Sequence, residues 1–439
     1  MILSARETFT VTEPLREQGP ALPPPSEPTA PERRPVDRDP GGHIPALDAL
    51  RGLAIILVML GHFGHFDGMP PVMPIDRLVA RIAGVGWVGV DLFFVLSGFL
   101  ITGILYDSKG GRHYFRNFFA RRVLRIFPVY YACLVIFLII LPHLFPGDLG
   151  FQALRKDGVW YWTYLANYQI AHVGFPSFPV LGHFWSLAIE EQFYFVWPVV
   201  VLLSTRSDLI RICFMCIVGA FVVRVAFVLG DYGEAAYVLT PARMDSLAVG
   251  AYLALAARGP GGLTRVAQLA RPTTISIGAV LVALFLWRGG ISPWDPIMKT
   301  VGHTLLAFFF GALLVLTLVS SPKTVTGRIF ALPQLSFFGR YSYALYVFHA
   351  PILFFNLDRF LPLDLVPTVF GSLLLKKLVF VTSATLVSVA IATTSWHLYE
   401  KQFLKLKRFF PYQSAGRRST PAAFASPAPT FLQPLVPSE

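Results

Sequence analysis

The sequence predicts an all-α fold: a polytopic integral membrane protein of about ten transmembrane helices, with both termini cytoplasmic. Three observations lead there. Of 439 residues, 54% are hydrophobic and 14% charged, whereas a soluble domain carries about 25% charged residues. The apolar residues come in blocks near the roughly 20 that a bilayer-crossing helix needs. Lys and Arg segregate as the positive-inside rule requires. With both ends inside, the inner tails and loops hold 25 of the 37 and the outer loops 6.

Residues 1–43 form a polar, Pro-rich tail, "PALPPPSEPTAPERRPVDRDPGG" within it, whose composition supports no packed core. It has no early apolar segment of the kind a cleavable signal needs. The membrane domain covers 44–404. Spans are expected at 46–66, 82–106, 127–145, 183–203, 209–229, 238–258, 272–288, 300–320, 341–357 and 372–396. The stretch "VWYWTYLANYQI", 159–170, is too short and polar to cross. Its Trp and Tyr suit the membrane interface, and an eleventh span would invert every later loop. A second disordered cytoplasmic tail, 405–439, ends the chain.

Several function classes drop out. The formal charge of +12 does not call for nucleic acid, because basic inner loops account for it. Cys133, Cys213 and Cys216 all lie in apolar runs, where a thiol behaves as a small hydrophobe. The Cys213-x-x-Cys216 spacing is therefore not read as a redox or metal site. There is no G-x-x-x-x-G-K-[ST], H-E-x-x-H or G-x-S-x-G motif, and no metal is expected. The Gly-rich "VGWVGVDLFFVLSGF" reads as close helix packing. No pair of matching broken helices marks an inverted-repeat transporter.

What remains is a set of ionisable residues inside apolar spans, each costing about 2.5–3.5 kcal/mol on insertion scales. They are Arg51, His62, Asp91, Glu190, Glu191, Arg224, Arg243, Asp245 and His349, with His183 and Tyr194 in the same segment as the two Glu. Arg51 and His62 are 11 residues apart. That is close to whole turns and about 16 Å of rise, so both look from one face. His62 lies near the outer end of its span, and Glu190 about 10 Å into the fourth. A His–carboxylate pair at that depth would satisfy both groups and raise the basicity of the imidazole. Either Glu190 or Glu191 fits the part, since the two diverge by about 100° on a helix. The competing reading is a packed core histidine and a carboxylate that merely pins two spans. Arg243 and Asp245, two apart on a helix, are expected to pair with other spans rather than each other.

On the inner side, "KGGRHYFRNFFARRVLRIFP" concentrates Lys109, Arg112, Arg116, Arg121, Arg122 and Arg125. This is either a positive loop on anionic lipid or a cradle for a phosphorylated donor, which guanidinium forks suit. Arg122 and Arg125, at i and i+3, share a helix face.

At these residues the sequence resembles the acyltransferase-3 family of integral membrane acyltransferases. The resemblance rests on "LDALRGLAIILVMLGH", "GVDLFFVLSGFLIT", "RRVLRIFPVYY", "HFWSLAIEEQFYFVWP", "RMDSLAVGAYL", "YSYALYVFHAPI" and "WHLYEK", in family order across 44–404. It implies transfer of an acyl group, most often acetyl, from a cytoplasmic acyl-CoA, with acetyl-CoA the usual donor. The acceptor is a hydroxyl of a surface or exported carbohydrate or a lipid-linked glycan. The setting is the bacterial inner membrane. It further implies that His62 and Arg51 are the family's signature pair, that Arg122 and Arg125 form its Arg-x-x-Arg motif, and that Glu190 is its Glu after "WSLA". His62 then serves as general base or as a transient acyl carrier, with Tyr194 an alternative carrier. Asp91, His183, Glu191, Arg243, Asp245 and His349 support the site. Some relatives carry a fused esterase-like domain. With a short segment after its last motif, this chain is expected to complete transfer alone or to work with a separate acyl-accepting or polysaccharide-export protein. The alternatives are a transporter with an intramembrane proton relay and a non-catalytic export scaffold.

Overall fold

The computed structural model describes residues 44–64, 70–354, 361 and 363–412. The Pro-rich N-terminal tail and residues 413–439 lie outside that set. Ten long helices order the chain: α1 (Pro45–Gly64), α2 (Gly89–Ser108), α3 (Tyr114–Val135), α4 (Phe184–Leu203), α5 (Arg206–Leu229), α6 (Thr240–Ala257), α7 (Thr264–Arg288), α8 (His303–Val319), α9 (Pro333–Phe354) and α10 (Leu374–Ser395). Each coincides with one expected span. Among the described residues, eight helices are long and apolar enough to cross a membrane by length and composition. α6 and α9 fall outside that set; they carry Arg243, Asp245, Arg340 and His349. Among the described residues there is no strand, only an isolated bridge between Val369 and Ser372. The 159–170 stretch forms parts of two short helices, Gly158–Trp162 and Ala166–Val173.

Local chemistry sets the helix ends. Thr205 caps α5 by accepting from the amide of Asp208 (3.2 Å), and the Asp208 carboxylate returns a bond to the amide of Thr205 (3.2 Å), a capping box. α7 stops at Gly289, whose φ of 68° lies in the left-handed region that glycine enters freely. Three helices begin well before the expected span. α3 starts at Tyr114, α7 at Thr264 and α9 at Pro333. Polar and basic turns extend the helix beyond the apolar slab, where hydropathy alone cannot see it. In α3 this puts Arg116, Arg121, Arg122 and Arg125 on the helix itself.

Two crossings hold the bundle together. α1 lies along α9 and α2 along α6. A Cβ at Gly98 would strike the carbonyl oxygen of Leu247, and one at Gly250 that of Val95, so α2 and α6 approach backbone to backbone. Gly52 and Gly339 do the same for α1 and α9, against Leu335 and Asp48. The glycines of the "VGWVGVDLFFVLSGF" segment thus serve packing. Gly98→Val or Gly339→Val, by overpacking at backbone contact, should sharply lower the yield of monodisperse protein after detergent extraction, whereas Gly219→Ala, at a position with open space around it, should be neutral or stabilising by about 0.5–1 kcal/mol.

Candidate functional site

A cavity of about 120 Å³ opens among α1, α2, α3, α4 and α9. At the end of the bundle where α1 begins, its wall is cationic: Arg51 from α1, with Arg122 and Arg125 one turn apart on α3. Arg51 pairs with Asp48 (2.9 Å). Arg125 stacks over Trp396 (5.5 Å) and lies 3.9 Å from Glu400, beyond hydrogen-bond length. A buried Arg122 Nε has no partner among the described residues. Glu190, Glu191 and Tyr194 of α4 and Ser97 of α2 form the next layer. Ser97 Oγ donates to Glu190 Oε1 (2.5 Å) and accepts from Tyr194 Oη (3.0 Å). Glu191 faces the same space, and the charge of Arg122 acts on both Glu.

Further along, Ser186 and Tyr346 line the cavity, their hydroxyls 2.5 Å apart. Tyr346 Oη also lies 3.2 Å from the carbonyl oxygen of His183. Beyond Tyr346 stand three imidazoles. The His349 ring sits 5.0 Å from His183 and 4.8 Å from His62, both edge to face. His183 and His349 are buried, while His62 is exposed. His349 Nε2 and both ring nitrogens of His183 lack hydrogen-bond partners among the described residues. His62 Nδ1 lies 2.9 Å from the carbonyl of Val58. Among the described residues, no group of three or more His, Cys, Asp and Glu is placed to hold a metal ion.

One expectation is corrected. Glu190 is not the partner of His62; it belongs to Ser97 and Tyr194. Its depth explains why. α1 ends at Gly64, so His62 is two residues from the helix end and near His183, the residue that precedes α4. Glu190, seven residues on, lies about 10 Å deeper along the helix. His349, whose ring packs against His62, was expected only as a supporting residue. Ser97, Ser186 and Tyr346 were missed, since a hydroxyl in an apolar run carries no burial cost comparable to a charge. His303, by contrast, sits in the eighth expected span and met the same criterion as the residues that were singled out.

Asp91, Arg224, Arg243, Asp245 and His303 form a buried network beside the site, in which Asp91 Oδ2 and Arg243 Nε have no hydrogen-bond partner among the described residues. Arg243 donates to Asp91 (2.7 Å), with the His303 ring 2.9 Å from Arg243 and 3.4 Å from Asp91. Arg224 pairs with Asp245 (2.7 Å) and bonds to Thr304 and to the carbonyls of Thr300 and Ala242. Arg243 and Asp245 thus pair with other spans, not with each other. Phe94, Trp185 and Tyr237 face the Arg243 guanidinium at 5.4–5.9 Å. All five ionisable groups are fully buried, so this network holds helices rather than ligand. Cys133 and Cys213 are buried as well, and all three thiols are free.

With this geometry in place, comparison with known proteins is informative. The model of the acyltransferase-3 family, described as an acyltransferase domain, matches residues 44–397. The chain belongs to the acyltransferase-3 family. It is similar to the peptidoglycan O-acetyltransferase OatA of Listeria monocytogenes, 29% identical over 330 residues, 71% of this chain and 49% of the relative. It is also similar to the putative peptidoglycan O-acetyltransferase YrhL of Bacillus subtilis, 28% identical over 387 residues, 82% and 54%. The O-acetyltransferase OatA of Staphylococcus aureus is 27% identical over 341 residues, 71% and 51%. The chain thus spans about half the length of these curated relatives. No solved structure matches it.

Asp91→Ala would strand Arg243 in the apolar interior. Losing one partner of such a pair costs about 3–5 kcal/mol, while replacing both with apolar residues costs less. The thermal midpoint of the detergent-solubilised protein should therefore fall steeply in Asp91→Ala and recover in Asp91→Leu/Arg243→Leu.

Proposed function

We propose that this family member is a membrane O-acetyltransferase. In this reading it takes an acyl group, acetyl by preference, from acyl-CoA at the cytoplasmic face of the bacterial inner membrane. It passes the group to a hydroxyl of an envelope carbohydrate on the other side. The observation that carries the reading is the order of groups along the bundle: the cavity runs from its arginine wall to Tyr346, and the imidazoles stand beyond its lining, His349 next to Tyr346. Cations with few partners stand at the end that basic loops mark as cytoplasmic, and an exposed imidazole stands at the opposite end. Tyr346 lies between them.

Arg122, Arg125 and Arg51 would hold the donor phosphates, for which guanidinium forks are suited. The extended arm of the donor would follow the cavity past Glu190 and Ser97 towards Tyr346. An acceptor hydroxyl would meet the thioester beside His62. The imidazole takes the hydroxyl proton as the oxygen attacks the thioester carbonyl. Collapse of the tetrahedral adduct expels the thiolate, which recovers that proton from the imidazolium, leaving an ester and a free thiol. His349, against the His62 ring, fixes its orientation. Glu190 holds Ser97 and Tyr194 in the cavity wall, a positioning role. The exposure of His62 speaks against a packed core histidine. The relatives named as peptidoglycan O-acetyltransferases make a cell-wall glycan the first acceptor to try. Family membership favours transfer over transport.

Two sets of kinetics test this with labelled acetyl-CoA and a carbohydrate acceptor. Arg122→Gln and Arg125→Gln should raise the donor KM about 10- to 100-fold, the range expected for a lost charged hydrogen bond, more than they lower kcat. His62→Ala should cut kcat by at least about 100-fold, the smallest usual worth of a positioned base. Wild-type turnover in His62→Ala would remove that residue from the chemistry.

A further inference from the structure

The family model stops at residue 397, yet the chain beyond it is docked on α3, beside the arginines that line the cavity. A π-helical turn, Trp396–Glu400, ends α10 and leads into the turns Lys401–Lys405 and Leu406–Phe409. Side chains of α3 hold this segment. Arg121 Nη1 donates to the carbonyl oxygens of Lys407 and Phe410 (both 3.1 Å), and its guanidinium lies over the Tyr412 ring (4.6 Å). Asn117 Nδ2 donates to the carbonyl oxygen of Pro411 (2.7 Å). The backbone of Lys407 is therefore fastened to the residue that precedes Arg122.

Fastening there brings Lys407 within Coulombic reach of Arg125, Arg122, Arg121 and Arg51. It is half-buried, and among the described residues no carboxylate pairs with it. Four guanidinium groups and the Lys407 amine thus converge where, among the described residues, Asp48 and Glu400 offer the ion-pair contacts, the second of them at 3.9 Å. Gathering like charges in a partly apolar site is unfavourable unless an anion joins them. The unpartnered Nε of Arg122 is a donor still to be used. Lys407 is half-buried rather than exposed, its own carbonyl is held by Arg121, and Asn117 holds the segment again at Pro411.

We infer that Lys407, presented by the docked segment after α10, is a further cation of the donor site and binds phosphate of acyl-CoA beside Arg51, Arg122 and Arg125. This rests on the acyl-CoA reading above. An anionic lipid headgroup offers the same phosphate chemistry, so the test separates the two sources.

The full chain is placed in nanodiscs of phosphatidylcholine, and coenzyme A binding is titrated by calorimetry for wild type, Lys407→Gln, Lys407→Arg and Asn117→Ala. Thermal unfolding of each variant guards against misfolding. Lys407→Gln should weaken binding about tenfold, near the lower limit for a charged hydrogen bond. Lys407→Arg should largely restore it. Asn117→Ala, which loosens the segment but keeps every charge, should weaken it by a smaller factor. Unchanged affinity in Lys407→Gln overturns the inference alone. An effect confined to nanodiscs containing phosphatidylglycerol also overturns it and assigns the lysine to lipid. If wild type binds no coenzyme A, the donor reading itself falls and takes the inference with it.

Discussion

A charge inside an apolar bundle needs an opposite charge, a polar partner or a ligand, because desolvating it costs several kcal/mol. That one constraint sorts the ionisable residues of this protein. In one group every member is matched by protein: Asp91 with Arg243 and His303, Arg224 with Asp245. These residues are fully buried, and their partners come from different helices, so they act as ties. In the other group, Arg51, Arg122 and Arg125 border open space and are matched thinly. The first set makes the scaffold rigid enough for the second to stay unmatched.

The glycine crossings give that arrangement its precision. Gly52 and Gly339 bring α1 and α9 into backbone contact. Those two helices carry Arg51, His62, Tyr346 and His349, so a single crossing sets part of the cationic wall and two of the three imidazoles. Gly98 and Gly250 do the same for α2 and α6, which carry Ser97, Asp91 and Arg243. Small residues at the crossings and large charged ones above and below them follow one logic: close backbones leave room only where a side chain is to reach a partner or a ligand.

Much of this could be read from the residues alone. Ten apolar blocks became ten helices because burial in lipid demands a long helix and hydropathy reports it directly. The cationic wall was legible because Arg122 and Arg125 recur at i and i+3. The pairing of His62 was not. A position along one helix is compared with another only through guessed span ends, and an error of a few residues moves a side chain by several ångströms. Hydroxyl positions such as Ser186 and Tyr346 leave no trace in hydropathy. Lys407 was hidden for a different reason. It lies in a stretch expected to be a disordered tail, and long-range contacts such as the bonds from Arg121 and Asn117 to its backbone neighbourhood fold it onto α3.

The central claim is that this site transfers an acetyl group to an envelope carbohydrate. The most direct measurement is the O-acetyl content of the surface and cell-wall glycan, by mass spectrometry, in a strain lacking the gene and in the same strain carrying it back. The account requires O-acetyl groups to vanish from one glycan in the deletion and to return with the intact gene. Glycan O-acetylation that is identical in both strains would contradict it.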